Sequence, residues 1–263
     1  MKTVFITLLI FASLCLKAQD EANLPFKVGE KITYEAYYAF VTGANMTLEV
    51  KQQNISDIKY YHLVACGYTV GMIDKIYKIK EDYQSWINVN RKCLPLKSFE
   101  DVHEGSTYTR RMDYVFNNQT QSVFSVKKRN GKAPESKTVS VAKNCYDIVS
   151  AAYYLRTLDL SKLAPGQEIR IETFFDNEPW PLIVKYLKTS TVKVGKLGKI
   201  SCYEFVPVVQ VSDVFTSNDA LHLWISADEN KIPIRAQMDL AVGSCKVDII
   251  KYENLNHPIK FVQ

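Results

Sequence analysis

The chain has 263 residues, of which 47% are hydrophobic, and it carries a formal net charge of +5 at pH 7. This hydrophobic content is enough for a packed core and argues against long disordered segments. The positive charge is small and spread along the chain, whereas a nucleic-acid-binding surface requires a strong basic bias on one face. Nucleic acid is therefore not an expected partner.

Residues 1–18 are predicted to be a signal peptide. Lys2 is followed by an uncharged apolar run at residues 4–16 and by the small residue Ala18. This run is shorter than the roughly 20 residues that a membrane-spanning helix needs, and no second candidate follows it. We therefore expect an exported protein without a transmembrane span. A lipid anchor at Cys15 is the less favoured alternative, because a large residue precedes it where a small one is required.

The rest of the chain reads as short strands separated by turns, which indicates an all-β fold with mainly antiparallel strands. Residues 31–40 and 106–116 alternate most clearly between apolar and polar side chains. The tripeptide Gly43-Ala44-Asn45 is predicted to be a turn, and residues 75–89 a strand. Asn130-Gly131 predicts a hairpin, because a type I′ turn requires positive φ at both positions. We expect a large curved sheet, a partial β-barrel or a sandwich.

Residues 147–160 break this strand pattern. Apolar side chains recur there at helical spacing, with Asp147 or Asn144 as the N-cap, and Pro165-Gly166 ends the segment. The prediction is one α-helix near 147–160 that covers one end of the sheet. No stretch rich in Pro, Gly or Ser divides the chain, so a single β-rich domain is expected after the signal peptide.

Five cysteines follow the signal peptide: Cys66, Cys93, Cys145, Cys202 and Cys245. An odd number permits at most two disulfides among them, and the sequence leaves their pairing open. Three lie in strand-like runs, which favours buried thiols that pack as small hydrophobic side chains. A single disulfide is the next interpretation, since an exported compartment permits its formation.

Aromatic side chains are the main candidates for ligand contact, because the chain contains 16 Tyr, 12 Phe and 3 Trp. Such rings pack on half-buried strands and also contact sugars or lipids. Trp86 and Trp224 lie in strand patterns and are expected in the core, whereas Trp180 lies in a proline-bracketed turn and Phe215 in the loop at residues 213–220. The candidate ligand-binding residues are Tyr34, Tyr38, Trp86, Tyr108, Arg110, Trp180, Phe215 and Trp224.

The densest polar cluster consists of Glu100, Asp101, His103 and Glu104. It could bind a cation or supply the acid and base of a hydrolase, but neighbouring residues of a strand point to opposite faces. A solvated hairpin loop is therefore favoured. Arg110 and Arg111 are alternative partners of these carboxylates.

Motifs of known chemistry are missing from the sequence. The four histidines lack metal-ligand spacing, and no G-x-S-x-G, P-loop or dinucleotide-binding glycine pattern occurs. We expect neither a metal site nor a cofactor, and no enzymatic activity.

Several short motifs recur in an order that resembles a known family. They include Val28-Gly29-Glu30-Lys31-Ile32-Thr33-Tyr34-Glu35, Ser85-Trp86-Ile87, Leu94-Pro95-Leu96, Leu223-Trp224-Ile225-Ser226 and Ile232-Pro233-Ile234-Arg235. Together they resemble the DUF3108 family of exported bacterial proteins of unknown function, over roughly residues 25–255. The resemblance implies a β-rich protein that is periplasmic or associated with the outer membrane of a Gram-negative bacterium. It implies no catalytic residue set.

These observations lead to one expected function and two alternatives. We expect an exported envelope protein without enzymatic activity that holds an apolar or amphiphilic ligand, a lipid or glycan, or an envelope partner on a curved sheet. The first alternative is an assembly or structural factor for an outer-membrane or surface-polysaccharide system. The second is a glycan or peptide hydrolase that uses Glu100, Asp101, His103 or Glu104.

Overall fold

Antiparallel strands dominate the computed structural model, which describes residues 23–208, 220–239 and 243–263. The predicted signal peptide and Phe215 lie outside these residues. In chain order the strands are β1 (Lys31–Tyr38), β2 (Val41–Ile55), β3 (Ile58–Thr69), β4 (Ile79–Asn88), β5 (Leu94–Glu104), β6 (Tyr108–Asn117), β7 (Ser122–Arg129), β8 (Glu135–Ser140), β9 (Glu168–Ile171), β10 (Phe174–Phe175), β11 (Glu178–Pro179), β12 (Leu182–Val194), β13 (Gly198–Pro207), β14 (Leu221–Ser226), β15 (Pro233–Asp239), β16 (Ser244–Glu253) and β17 (Phe261–Val262).

Fifteen of these strands form one sheet in the order β8-β7-β6-β5-β4-β3-β2-β1-β16-β15-β14-β13-β12-β9, with β17 paired to β13. The first eight strands follow one another along the chain, and β1 joins them to the C-terminal strands through β16. The edge strands β8 and β9 do not pair with each other, so the sheet is not closed. The predicted antiparallel all-β fold is confirmed.

The predicted turn at Gly43-Ala44-Asn45 is wrong, because these residues lie inside β2. The chain reverses at residues 39–40 instead, where Ala39 has a φ of 53°. Ala36 pairs with Ala44 and Tyr37 pairs with Thr42, which leaves Gly43 as the extra residue of a β-bulge. The glycine therefore marks a bulge in the strand rather than the reversal of the chain.

The predicted strand at residues 75–89 begins too early. A helix, α1 (Gly71–Ile76), precedes it, and β4 starts only at Ile79. Met72, Ile73 and Ile76 are spaced as on a helix, a pattern too short to stand out from a strand in the sequence alone. By contrast, Asn130 and Gly131 both have positive φ, as the predicted hairpin turn requires.

The predicted helix is present as α2 (Ile148–Thr157), and it ends before a separate 3₁₀ turn at Leu160–Lys162. Asp147 is its N-cap and accepts hydrogen bonds from the backbone N–H groups of Val149 and Ser150 at 3.0 and 2.9 Å. Neither described helix has the length and apolar character needed to cross a membrane.

The two halves of the sheet pack on different sides of α2. Val149 and Tyr153 join the core cluster of β2, β3 and β4, which includes Val50, Tyr61, Leu63 and Ile87. Ala151 and Leu155 join a second cluster formed with β9, β12, β13 and β14. The helix thus lies between the two halves, and the sheet curves around it.

A buried ion pair fixes the C-terminal end of α2. The Arg156 guanidinium donates to both carboxylate oxygens of Glu30, at 2.6 and 2.8 Å, and both side chains are buried. Arg156 also donates to the backbone carbonyls of Asn230 at 3.1 Å and Pro25 at 2.9 Å. Three separate segments of the chain therefore meet at one guanidinium.

The five cysteines of the described chain are free thiols. Cys93, Cys145 and Cys202 are buried among apolar side chains, and Cys66 and Cys245 are half-buried. Burial raises the pKa of Cys202 to about 12, which keeps its thiol protonated and unreactive at neutral pH.

We expect Arg156→Met to lower the free energy of unfolding by about 3–5 kcal/mol, because it leaves the Glu30 carboxylate buried without a partner. The double variant Glu30→Leu/Arg156→Met should lose less than this single variant, since no unpaired charge remains. Lys162→Met, which breaks the exposed ion pair with Asp159, is the control and should leave stability unchanged. Denaturant unfolding measures all three, and equal losses in Arg156→Met and the control would contradict the stabilising role assigned to the buried ion pair.

Candidate functional site

The predicted cluster of Glu100, Asp101, His103 and Glu104 lies within a strand, because β5 continues to Glu104. Successive strand residues point to opposite faces. Asp101 and His103 share one face, where their side chains are 3.1 Å apart, and Arg111 lies 3.5 Å from Asp101. Glu100 and Glu104 belong to the other face. The four residues therefore do not form one site.

Glu100 is the most deeply buried member of this set, with 4% of its surface exposed. Arg110 Nη2 donates to its Oε2 at 3.1 Å, and the Tyr114 hydroxyl donates to its Oε1 at 3.3 Å. Burial raises the pKa of Glu100 to about 7, while Arg110 and Tyr114 oppose the shift and Asp147 and Asp176 add to it. This carboxyl group therefore titrates near neutral pH.

The short β10–β11 hairpin packs against these residues. Asp176, at its turn, accepts from Arg110 Nη1 at 3.2 Å and lies 3.5 Å from Lys127 Nζ. Phe174 packs edge-on against the ring of Tyr114, with 5.5 Å between centroids. We call Glu100, Arg110, Tyr114, Lys127 and Asp176 the Glu100 cluster. Sequence reasoning anticipated that Arg110 and Arg111 could pair with carboxylates, but Asp176 is far along the chain and was missed.

Two of the predicted aromatic ligand contacts, Tyr34 and Trp86, are buried and hold the fold together. Tyr34 is buried, and its hydroxyl donates to the Pro233 carbonyl at 3.0 Å. Trp86 is buried, stacked on His62 at 4.2 Å and covered by Lys97 Nζ at 4.5 Å from the ring centroid. These rings are therefore held by the fold itself.

The remaining predicted aromatic residues differ in exposure. Trp224 is half-buried and stacked on His222. Tyr108 is half-buried beneath the Arg129 guanidinium. Tyr38 and Trp180 are exposed. The structure does not bring these residues together into one binding surface.

A groove that sequence reasoning missed lies where the turn between β12 and β13 meets β1, β15 and β16. Its volume is about 670 Å³, within the range of roughly 300–1,000 Å³ that small-ligand sites occupy. Arg235 Nη2 donates to the Lys193 carbonyl at 3.2 Å, which holds the hairpin turn in place. We call this space the hairpin groove; it is lined by Glu35, Tyr37, Val194, Gly195, Lys196, Leu197, Arg235, Asp248, Ile249 and Ile250.

Asp248 organises the polar floor of the hairpin groove. It accepts from Arg235 Nε at 2.5 Å, from Arg235 Nη2 at 2.7 Å and from the Tyr37 hydroxyl at 2.6 Å. Burial and Asp248 together raise the pKa of Tyr37 to about 12, so this hydroxyl stays protonated. Glu35 lies opposite Asp248 in the β1–β16 pairing and adds a second carboxylate.

The hairpin groove combines two kinds of surface. Leu197 and Ile250 supply accessible aliphatic contacts, whereas carboxylate, guanidinium, phenol and ammonium groups supply hydrogen bonds. Among the described residues, no three His, Cys, Asp or Glu side chains are arranged to hold a metal ion. The groove therefore presents both hydrogen-bonding groups and apolar surface.

We expect Glu100→Gln to change how stability depends on pH. The pKa of Glu100 is about 7 in the folded protein against 4.5 ordinarily, so the unfolded chain loses its proton first as pH rises. The free energy of unfolding of the wild type should fall between these two pH values, by at most about 3.5 kcal/mol at ~1.4 kcal/mol per pKa unit, and the variant should not show this fall.

Denaturant unfolding across this pH window measures the difference between the two proteins. The control is Glu229→Gln, at an exposed carboxylate whose pKa is lowered by Lys260. This variant should not become more stable relative to the wild type as pH rises. Parallel profiles for Glu100→Gln and the wild type through the window would contradict the assigned titration.

Comparison with known proteins agrees with this architecture. One solved structure, described as a β-barrel-like protein of domain of unknown function DUF1849 from Brucella abortus, superposes with a TM-score of 0.54. It is 11% identical in sequence, and the match covers 87% of this chain and 98% of that one, which supports the fold alone. No curated protein matches the chain. The family described as "Protein of unknown function (DUF3108)" matches residues 33–250, and the chain belongs to this family.

Proposed function

We propose that this protein is an exported, non-catalytic protein of the cell envelope that holds an amphiphilic ligand, a glycan-bearing lipid, in the hairpin groove. The observation that carries the proposal is the composition of this groove. Aliphatic side chains lie beside a hydrogen-bonded floor that carries both signs of charge. A ligand with a hydrocarbon part and a hydroxyl-rich headgroup matches both surfaces.

The balance of charge favours a neutral headgroup over a strongly anionic one. Glu35 and Asp248 contribute two negative charges, and Arg235 and Lys196 contribute two positive charges. Sugar hydroxyls both donate to carboxylates and accept from guanidinium and ammonium groups, so they can use both kinds of partner. Because Arg235 and Tyr37 already hold Asp248, the floor needs little reorganisation when a ligand binds.

Two features of the sequence support a location in the envelope. The uncharged apolar run at residues 4–16 supports export. The family resemblance supports a periplasmic or outer-membrane-associated protein of a Gram-negative bacterium. Such a compartment contains glycolipids, which is consistent with the proposed class of ligand.

A hydrolase is the second candidate, and the pKa of Glu100 near 7 favours it, because a general acid works best when its pKa is close to the ambient pH. Asp101 and His103 lie on the opposite face of β5 from Glu100, so Asp176 of the Glu100 cluster would have to assist. This candidate requires that the protein cleaves a glycan or peptide substrate and that Glu100→Gln abolishes the cleavage. If no glycan or peptide in a panel of substrates is cleaved, the hydrolase candidate is excluded.

We expect native mass spectrometry of the protein purified from its own envelope to show a co-purifying species, and organic extraction to release a lipid that carries sugar. Asp248→Asn removes the charge that organises the floor of the hairpin groove. It should lower ligand occupancy about tenfold or more, since a hydrogen bond to a charged group contributes about 1.5–3 kcal/mol.

Glu253→Gln, on the same strand but outside the hairpin groove, is the matched control and should retain the ligand. Leu197→Asp tests the aliphatic wall from an independent position and should also reduce occupancy. A clean apo mass, or equal occupancy in all four proteins, would refute the proposal and favour the assembly-factor alternative.

A further inference from the structure

We propose that the end of the sheet that carries α1 docks on the surface of a bilayer that contains anionic lipid. The antiparallel register places the β1–β2, β3–β4, β5–β6 and β7–β8 connections at this end. The first two of these connections form a contiguous apolar surface. We call it the α1 patch; it consists of Phe40, Val41, Met72, Ile73, Ile76 and Tyr77.

The side chains of the α1 patch protrude into solvent. Phe40 is fully exposed at the tip of the β1–β2 hairpin, and Met72 and Ile76 are 72% and 77% exposed. α1 contains no buried residue. Packing inside the protein therefore does not account for the apolar side chains of Met72 and Ile76.

The two connections of the α1 patch are held together by the fold. The Val70 N–H donates to the Gly43 carbonyl at 2.9 Å. A Cβ atom added to Gly43 would lie 3.4 Å from Ile73 Cγ1, so the helix packs directly on β2. On its other side, the Tyr77 ring lies against Gly105 in the β5–β6 turn. Contacts with β2 and with the β5–β6 turn therefore hold α1 and its protruding side chains in place.

Basic residues surround the α1 patch. Lys75 lies within α1, Lys78 follows it, and both are exposed. Two carboxylates also lie here, each hydrogen-bonded to a neutral hydroxyl: Asp74 accepts from the Thr69 hydroxyl at 3.0 Å, and Glu104 accepts from the Tyr77 hydroxyl at 3.4 Å. Arg129 and Lys132 add positive charge at the β7–β8 connection of the same end. This charge is complementary to lipid phosphate groups.

The arrangement favours a membrane over a protein partner. The core of a protein interface is depleted of lysine, whereas membrane-surface segments combine apolar side chains with lysines whose ammonium groups reach the phosphates. α1 has six residues, so it can lie at the bilayer surface but cannot cross it. The inference is independent of ligand holding, because the α1 patch and the hairpin groove share no residue.

Flotation with vesicles tests the docking. We expect the protein isolated from its own cells to bind vesicles of equal parts phosphatidylglycerol and phosphatidylcholine, and to bind more weakly to pure phosphatidylcholine or at high salt. Phe40→Ser/Ile76→Ser should weaken binding about a hundredfold, roughly tenfold for each buried side chain. Lys75→Glu should weaken it by about fivefold or more.

Matched controls come from the opposite end of the sheet. Ile58→Ser removes an exposed apolar side chain at the β2–β3 turn, and Lys199→Glu reverses an exposed charge at the start of β13. Both controls should bind vesicles like the wild type. Because Phe40 and Ile76 are exposed, the double variant should also keep the wild-type unfolding midpoint.

Three results would overturn the inference: no binding to anionic vesicles, equal binding by the double variant and the wild type, or equal losses in the double variant and Ile58→Ser. Crosslinking to an envelope protein through the α1 patch, without vesicle binding, would assign the patch to a protein partner instead. Native mass spectrometry of the double variant distinguishes this inference from the proposed function. If the variant still carries its ligand but no longer binds vesicles, both proposals are supported.

Discussion

The buried contact between Arg156 and Glu30 is the interaction on which the rest of the structure depends. A guanidinium that leaves water is stable only when its donors are satisfied, and here the partners come from the N-terminal segment and the β14–β15 turn. Phe26 and Tyr153 flank the guanidinium with their ring faces. Moving α2 would therefore break several contacts at once, which fixes the helix between the two halves of the sheet.

The same network positions the hairpin groove. Asn230, whose carbonyl accepts from Arg156, exchanges two hydrogen bonds at 2.9 Å with the backbone of His257 and lies three residues before the start of β15. Strand β15 then carries Arg235, which holds both Asp248 and the end of the β12–β13 hairpin. The polar floor of the groove is therefore connected through β15 to the buried contacts of Arg156.

Local patterns in the sequence were sufficient for most strands, for α2 and for the Asn130-Gly131 turn, because each depends on residues close in the chain. They left the cap of α2 open between Asp147 and Asn144. Gly43 shows the limit: a glycine can mark a turn or a bulge, and the choice depends on pairing with β1. The candidate sites could not be predicted from local sequence patterns. Tyr37 and Asp248 are 211 residues apart and meet through the β1–β16 pairing. Arg110 and Asp176 are 66 residues apart and meet where the separate β10–β11 hairpin packs on the large sheet.

The surroundings of α2 and the α1 patch differ in how far their apolar side chains are buried, and folding does not account for this difference. Around α2, the rings of Phe26, Tyr61 and Tyr153 are almost fully removed from water. At the α1 patch, Phe40 and Ile76 remain in solvent, where a polar residue would cost the folded state nothing. Scattered apolar side chains on a surface are ordinary, but a contiguous set that includes a helix without any buried residue indicates contact with something outside the protein.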